Sequence, residues 1–224
     1  MKCFFLFLFA GLCSHIVWAQ NSSTTENVEL LNSNYPEGVY LTYEDFLDKK
    51  AINYGPFMVR KPMAGFKELE KSMEADQVFF FNSKNNTKIT NAFAISYNGS
   101  VYFQQRQIHK LASKEDRNQE GDNPNSYHRV KKDGKFLYLE VSFANAWSKG
   151  FAYGVGGAVA GAYAGTLNKL KGVVFDISAK EFNLIRDCND LNFLLAKYNK
   201  EILSCEEKKI DILKTREIID MVIK

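Results

Sequence analysis

Cys188, His109 and His128 are the residue types in this chain that could form a nucleophile and its base, because a thiol attacks once an imidazole removes its proton. The competing account is plain: Cys188 stands where a helix begins, and both histidines stand in polar loop sequence. Glu115, Asp116, Glu120 and Asp122 could gather calcium, but keeping a long loop solvated explains them better. Two histidines and two distant cysteines lack the close ligand spacing of a zinc site. Nucleophile elbows, HExxH helices, P-loops and EF-hand loops are absent. Gly154-Val155-Gly156-Gly157 starts like a dinucleotide loop, yet Val159 occupies the sixth position, where glycine is required. Phe79, Phe80, Phe81, Phe93, Tyr97, Tyr102 and Phe103 lie in strand-like runs, so core packing fits them better than a sugar-stacking platform. No catalytic, cofactor or metal residue is expected.

The physically unusual stretch is Gly150 to Asn168, which carries no charge and holds six of the fourteen glycines. Sorted by fours, Phe151, Val155, Val159, Tyr163 and Leu167 form a file of bulk, while Gly157, Gly161 and Gly165 form a bare one. On a helix this is a ridge beside a smooth groove that admits a second helix backbone to backbone. Nineteen residues would rise about 28 Å, near the ~30 Å hydrocarbon thickness. Gly150, Gly154, Gly157, Gly161 and Gly165 are therefore the expected self-association or membrane contacts, a glycine-zipper pattern. Lys149, Lys169, Lys171 and Trp147 would suit a membrane interface. Two other readings stay open. Glycine is a poor helix former, so the stretch also reads as a loop, and its bulky residues at odd numbers fit a strand pair.

The elements that would carry these groups read as follows. The apolar run Cys3–Val17 after Lys2, with Val17-Trp18-Ala19, has the form of a secretory signal cleaved after Ala19. Residues 20–34 are polar and read as a disordered leader. Residues 35–224 read as one domain. Thr42 caps a helix over Tyr43–Lys49 whose first turn holds Glu44 and Asp45. Short strands then include Phe57–Val59, Val78–Phe81 and Ala92–Tyr97, and Asn98-Gly99 turns the chain into Val101-Tyr102-Phe103 as a two-residue hairpin. Leu111–Ser126 reads as a mobile loop. Further strands lie near Phe136–Val141, Val173–Ile177 and Phe182–Ile185. Asp187 caps a helix with Leu191, Leu194, Leu195 and Tyr198 on one face, and a last helix spans about Glu206–Ile223. The expected fold is α+β: a short-stranded antiparallel sheet, then a C-terminal helical pair (residues 186–224), with the Gly/Ala-rich insert at 150–168.

Gly38-Val39-Tyr40-Leu41-Thr42-Tyr43-Glu44-Asp45-Phe46, followed in order by the Asn98-Gly99 hairpin, the Gly/Ala stretch and the Val173–Ile177 strand, resembles a family of secreted bacterial envelope proteins of unknown function. The resemblance implies a location and no mechanism.

The chain has 224 residues, 46% apolar and 25% charged, an ordinary globular balance. Its net charge of +3 excludes a dedicated nucleic-acid binder. Removal of the signal leaves Cys188 and Cys205, which an oxidising compartment would pair. A straight helix between them separates the pair by about 18 Å, so free thiols are expected. Three functions follow: a non-enzymatic exported envelope protein that self-associates or meets a membrane through the zipper; a soluble periplasmic or secreted binding module with the zipper packed inside; and a hydrolase with an unrecognised site.

Overall fold

Thr42 begins the first helix as the sequence predicts. Its hydroxyl accepts from the Asp45 amide at 3.0 Å, and the Asp45 carboxylate accepts from the Thr42 amide at 3.0 Å, a reciprocal capping box. The helix, α1 (Tyr43–Leu47), follows β1 (Gly38–Tyr40). In this computed structural model residues 34–61, 76–121, 123–145, 169–205 and 210–223 are described. Residues 1–33 (the expected signal and nearly all of the leader) and 146–168, which include Gly150, Gly154, Gly157, Gly161 and Gly165, lie outside them.

Among the described residues the chain forms eleven strands in one antiparallel sheet and four short helices. The strands after β1 are β2 (Phe57–Arg60), β3 (Gln77–Asn82), β4 (Thr87–Lys88), β5 (Ala94–Tyr97), β6 (Ser100–Gln104), β7 (Gln119–Glu120), β8 (Tyr127–Asp133), β9 (Leu137–Asn145), β10 (Lys169–Asp176) and β11 (Glu181–Ile185). The helices after α1 are α2 (Gln105–Lys110), α3 (Cys188–Lys197) and α4 (Ile212–Val222). The main path runs β1-β5-β6-β8-β9-β10-β11. The expected short sheet followed by helices is thus corrected to a sheet-rich fold. Local patterning missed β4, β7 and β8, whose residues are too few or too polar to alternate, and α2, which continues directly from a strand. The expected mobile loop at 111–126 contains β7, paired to the end of β9, and the buried residues Ser113 and Asp116.

β8 is the corner of the sheet. Its first residues pair with both β6 and β3, a register shift falls between Val130 and Lys132, and its second half pairs with β9. An irregularity of this kind bends a strand and increases its twist. The two arms then face each other. Tyr40, Ala94 and Phe103 from one and Leu139, Val173, Phe175 and Phe182 from the other share one core. Phe175 and Phe182 stack at 4.2 Å between centroids, and Phe103 meets Phe182 edge-on at 5.3 Å. Aromatic pairs of this sort add about 0.5–1.5 kcal/mol to their area burial. Period two along each strand sends alternate residues outward. Val39, Ile95 and Tyr102 pack against Val59, Val78 and Phe80 of β2 and β3. Tyr138, Val174 and Ile185 pack under α3 and α4 through Leu191, Leu194, Leu195, Ile218, Ile219 and Val222.

The Gly38–Phe46 motif is a piece of this core. Tyr40 and Phe46 are fully buried, and Tyr35 stacks on Phe46 at 4.4 Å. Gly38 has φ +147°, and a Cβ there would lie 2.8 Å from the Ile52 carbonyl oxygen, so only glycine lets β1 pass this close. Asn98 and Gly99 both have positive φ, 51° and 73°, which gives the β5–β6 hairpin its two-residue turn.

Cys188 and Cys205 form a disulfide with their Cα atoms 5.8 Å apart. The expectation of free thiols is corrected, and the reason is local. α3 ends at Lys197, and Asn199 at φ 54° helps reverse the chain, which returns without helix alongside α3. Asn192 holds the return: its side-chain oxygen accepts from the Leu203 amide at 2.7 Å and its amide group donates to the Leu203 carbonyl at 3.0 Å. The chain folds back on the helix, so helical rise does not add to the separation.

Candidate functional site

The disulfide also removes the thiol reading, because Cys188 is spent on Cys205. His128 is buried, with Nε2 donating to Gln105 Oε1 at 3.0 Å. Burial pushes its pKa down to about 3, so it stays neutral. Gln105, Ser126 and Gln77 continue this hydrogen-bonded chain from α2 through the residue before β8 to β3, which is a structural arrangement. His109 is exposed, and its Nε2 lies 3.1 Å from the Arg117 carbonyl oxygen.

Of the acidic loop residues, Glu120 and Asp122 have no described side chains, and Asp116 turns inward instead of facing solvent. Asp116 is 3% exposed; its Oδ2 accepts from the Ser113 hydroxyl at 2.8 Å and from the Leu184 amide at 2.9 Å. These bonds clasp the loop after α2 against the edge of β11, where Ala112 also bridges to Phe182. Asp116 Oδ1 receives no hydrogen bond among the described residues; Arg186 Nη1 lies 3.3 Å from it. Burial outweighs these partners and raises the Asp116 pKa.

This clasp forms one side of a cleft of about 410 Å³ beside β11. Its floor is the outer face of β10 and β11 with one side of α3: Val174, Ile185 and Leu194. α3 forms the opposite wall, set in place by its Asp187 cap, which accepts from the Asn189 and Asp190 amides at 2.9 and 3.1 Å. The rim is charged. Arg186 presents two parallel bonds to Asp190, each 2.8 Å, the fork geometry that suits guanidinium and carboxylate. At the other end Lys197 pairs with Asp176, which is 5% exposed and also accepts from the Ser178 hydroxyl at 2.7 Å. Glu181, opposite Asp176 in the strand register, and Asn183 of β11 also line the cleft. Phe193 stands on the α3 wall, 72% exposed. The volume falls at the small end of the range for ligand sites, and an apolar floor with a few polar groups is their usual make-up.

Sequence reasoning placed none of these groups in a site. The legible signal was Arg186 and Asp190 four residues apart across a helix start; Asp176, Asn183 and Lys197 come together only by folding. Among the described residues, no group of three or more His, Cys, Asp or Glu could hold a metal ion. No helix among them is long and apolar enough to cross a membrane. The site and scaffold define a sheet-rich protein with a small amphipathic cleft. No family model, curated protein or solved structure matches the chain.

Proposed function

We propose that the protein is an exported, non-enzymatic binding module of the bacterial envelope that takes a small ligand in the cleft between α3 and β11. The observation that carries this reading is the cleft itself, walled by a helix whose first residue is disulfide-bonded. Disulfides persist in oxidising compartments outside the cytosol, and the bond here agrees with the signal-like run at the N-terminus. The expected outcome for the chain expressed with its leader in a bacterial host is an extracytoplasmic product that begins at Gln20 and has both cysteines protected from alkylation. A cytoplasmic, fully alkylated product would remove the export reading. Ligand binding is tested on the same product by Asn183→Arg, which fills the cleft from a half-buried strand position and is expected to abolish any ligand-induced rise in Tm.

A second reading, self-association or membrane contact through Gly150, Gly154, Gly157, Gly161 and Gly165, draws support from the strands on either side. Phe143 pairs with Lys169, so the end of β9 and the start of β10 lie side by side. Gly161→Leu is expected to lower the sedimentation coefficient if copies associate there, and release of all protein by an alkaline carbonate wash would exclude insertion.

A further inference from the structure

We propose that the ligand of this cleft is an organic cation, an ammonium or guanidinium group on a short apolar stem. The inference rests on the cleft being a binding site and adds the chemistry of its occupant. Five carboxylates line the cleft against two cations, on a chain whose net charge is +3. The pairing shows where the excess sits. Lys197 is matched by Asp176. Arg186 is shared between Asp190, which takes its fork, and Asp116, whose Oδ1 is buried without a hydrogen bond. Glu115 and Glu181 have no ion-pair partner among the described residues. Lys171 of β10, which donates to Gln119, also faces Asp116 and Asp190, so the unmatched negative charge is that of the two glutamates.

An anion would have to break the Arg186–Asp190 fork or displace Asp176 from Lys197, since both cations are engaged. A metal ion would need converging carboxylates, and no such trio exists among the described residues. A cation on a stem meets neither obstacle. Its charge answers Glu181 or Glu115 at the rim, and the side-chain amide oxygen of Asn183, whose side chain bonds to no described residue, can accept from its N–H groups. Its stem covers Val174, Ile185 and Leu194, and the Phe193 and Tyr198 rings can lie against the charge. A free amine and a lysine or arginine side chain of a peptide share this chemistry.

The test is a backbone-amide NMR titration of the isotope-labelled protein with n-butylguanidinium, its neutral isostere n-butylurea, pentanoate, and a capped Ala-Arg-Ala peptide. Butylguanidinium is expected to shift the amides of Asn183, Ile185 and Asn189, to bind at least about tenfold more tightly than butylurea, and to weaken with added salt as screening grows. The Glu115→Gln/Glu181→Gln double variant, which changes one exposed and one half-buried carboxylate to its isostere, is expected to keep the native spectrum and to lose about five- to tenfold in affinity for butylguanidinium but not for butylurea. Tighter binding of the peptide assigns the cation to a side chain, and tighter binding of butylguanidinium assigns it to a free amine. Equal binding of butylurea, or preference for pentanoate, overturns the cation while leaving the cleft as a binding site. If no probe moves the cleft amides at millimolar concentration, both proposals fall.

Discussion

Burial keeps His128 from taking a second proton, although a Glu140 backbone hydrogen bond and the Asp76 charge favour it. Its Nε2–H is committed to Gln105, and burial holds its pKa down to about 3 against about 6.5 in an unfolded chain. Above pH 6.5 the ring is neutral in both states and its contribution to stability is fully present. Below that, the unfolded chain gains a proton that the folded one refuses, so stability falls by up to about 1.4 kcal/mol per pH unit until the folded pKa is reached. Glu140 acts in the same direction at lower pH. Its carboxylate is buried against Arg216 at 2.6 and 2.7 Å and Lys131 at 3.0 Å, and these partners hold its pKa below the ordinary value despite burial. Asp116, with its raised pKa, opposes both, because protonation relieves it. Urea unfolding of the protein is expected to lose stability steadily from pH 6.5 to 4.5, and His128→Gln is expected to flatten that slope whatever its effect at pH 7. An unchanged slope would place the titration elsewhere.

At the scale of the element, α3 is held at three points: the Asp187 cap, the Leu191, Leu194 and Leu195 face on the sheet, and the bond from Cys188 to Cys205. The disulfide closes a loop with a sequence separation of 17. Chain-entropy reasoning for such a loop gives about 3 kcal/mol of stabilisation. Its return limb lies on Asn192 and leads on to α4, so it also limits where α4 can dock. Cys188→Ser/Cys205→Ser is expected to unfold at lower denaturant by the equivalent of about 2–4 kcal/mol. Reductant is expected to reproduce the shift in the parent protein and to leave the variant unaffected, as denaturant midpoints would record.

For the whole molecule, the decisive contacts join residues far apart in sequence. Tyr43, in α1 next to the first strand, donates its hydroxyl to the Ile177 carbonyl at 2.5 Å, and Lys180 lies 4.4 Å from the centre of its ring. Glu44 pairs with the same Lys180 at 2.7 Å. Together with the Asp116 clasp on β11, these contacts tie the start of the sheet path to its end around the aromatic core. Tyr43→Phe removes one half-buried hydrogen bond and keeps the ring; the expected cost is about 1 kcal/mol in urea unfolding. Tyr43→Ala also exposes Phe93 and Phe175, its edge-on neighbours at 5.9 and 6.3 Å, and is expected to cost about 3 kcal/mol or more.

What the sequence by itself determined is what neighbours along the chain decide. Thr42 with Asp45, Asn98 with Gly99, Asp187 with the amides after it, and Leu191, Leu194 and Leu195 on one helical face each act within a few residues, through fixed φ, a short hydrogen bond or a 3.6-residue period. Tertiary structure decided the rest. β8 contributes two polar-looking halves to different partners, and no local period announces that. The Cys188–Cys205 pairing depends on a chain reversal that helical spacing cannot represent. The cleft draws Asp116 from a loop, Asp176 and Arg186 from the ends of two strands, and Lys197 from a helix. Its charge balance is set by which of these groups meet, and pairing across a sheet is governed by long-range packing that no stretch of sequence contains.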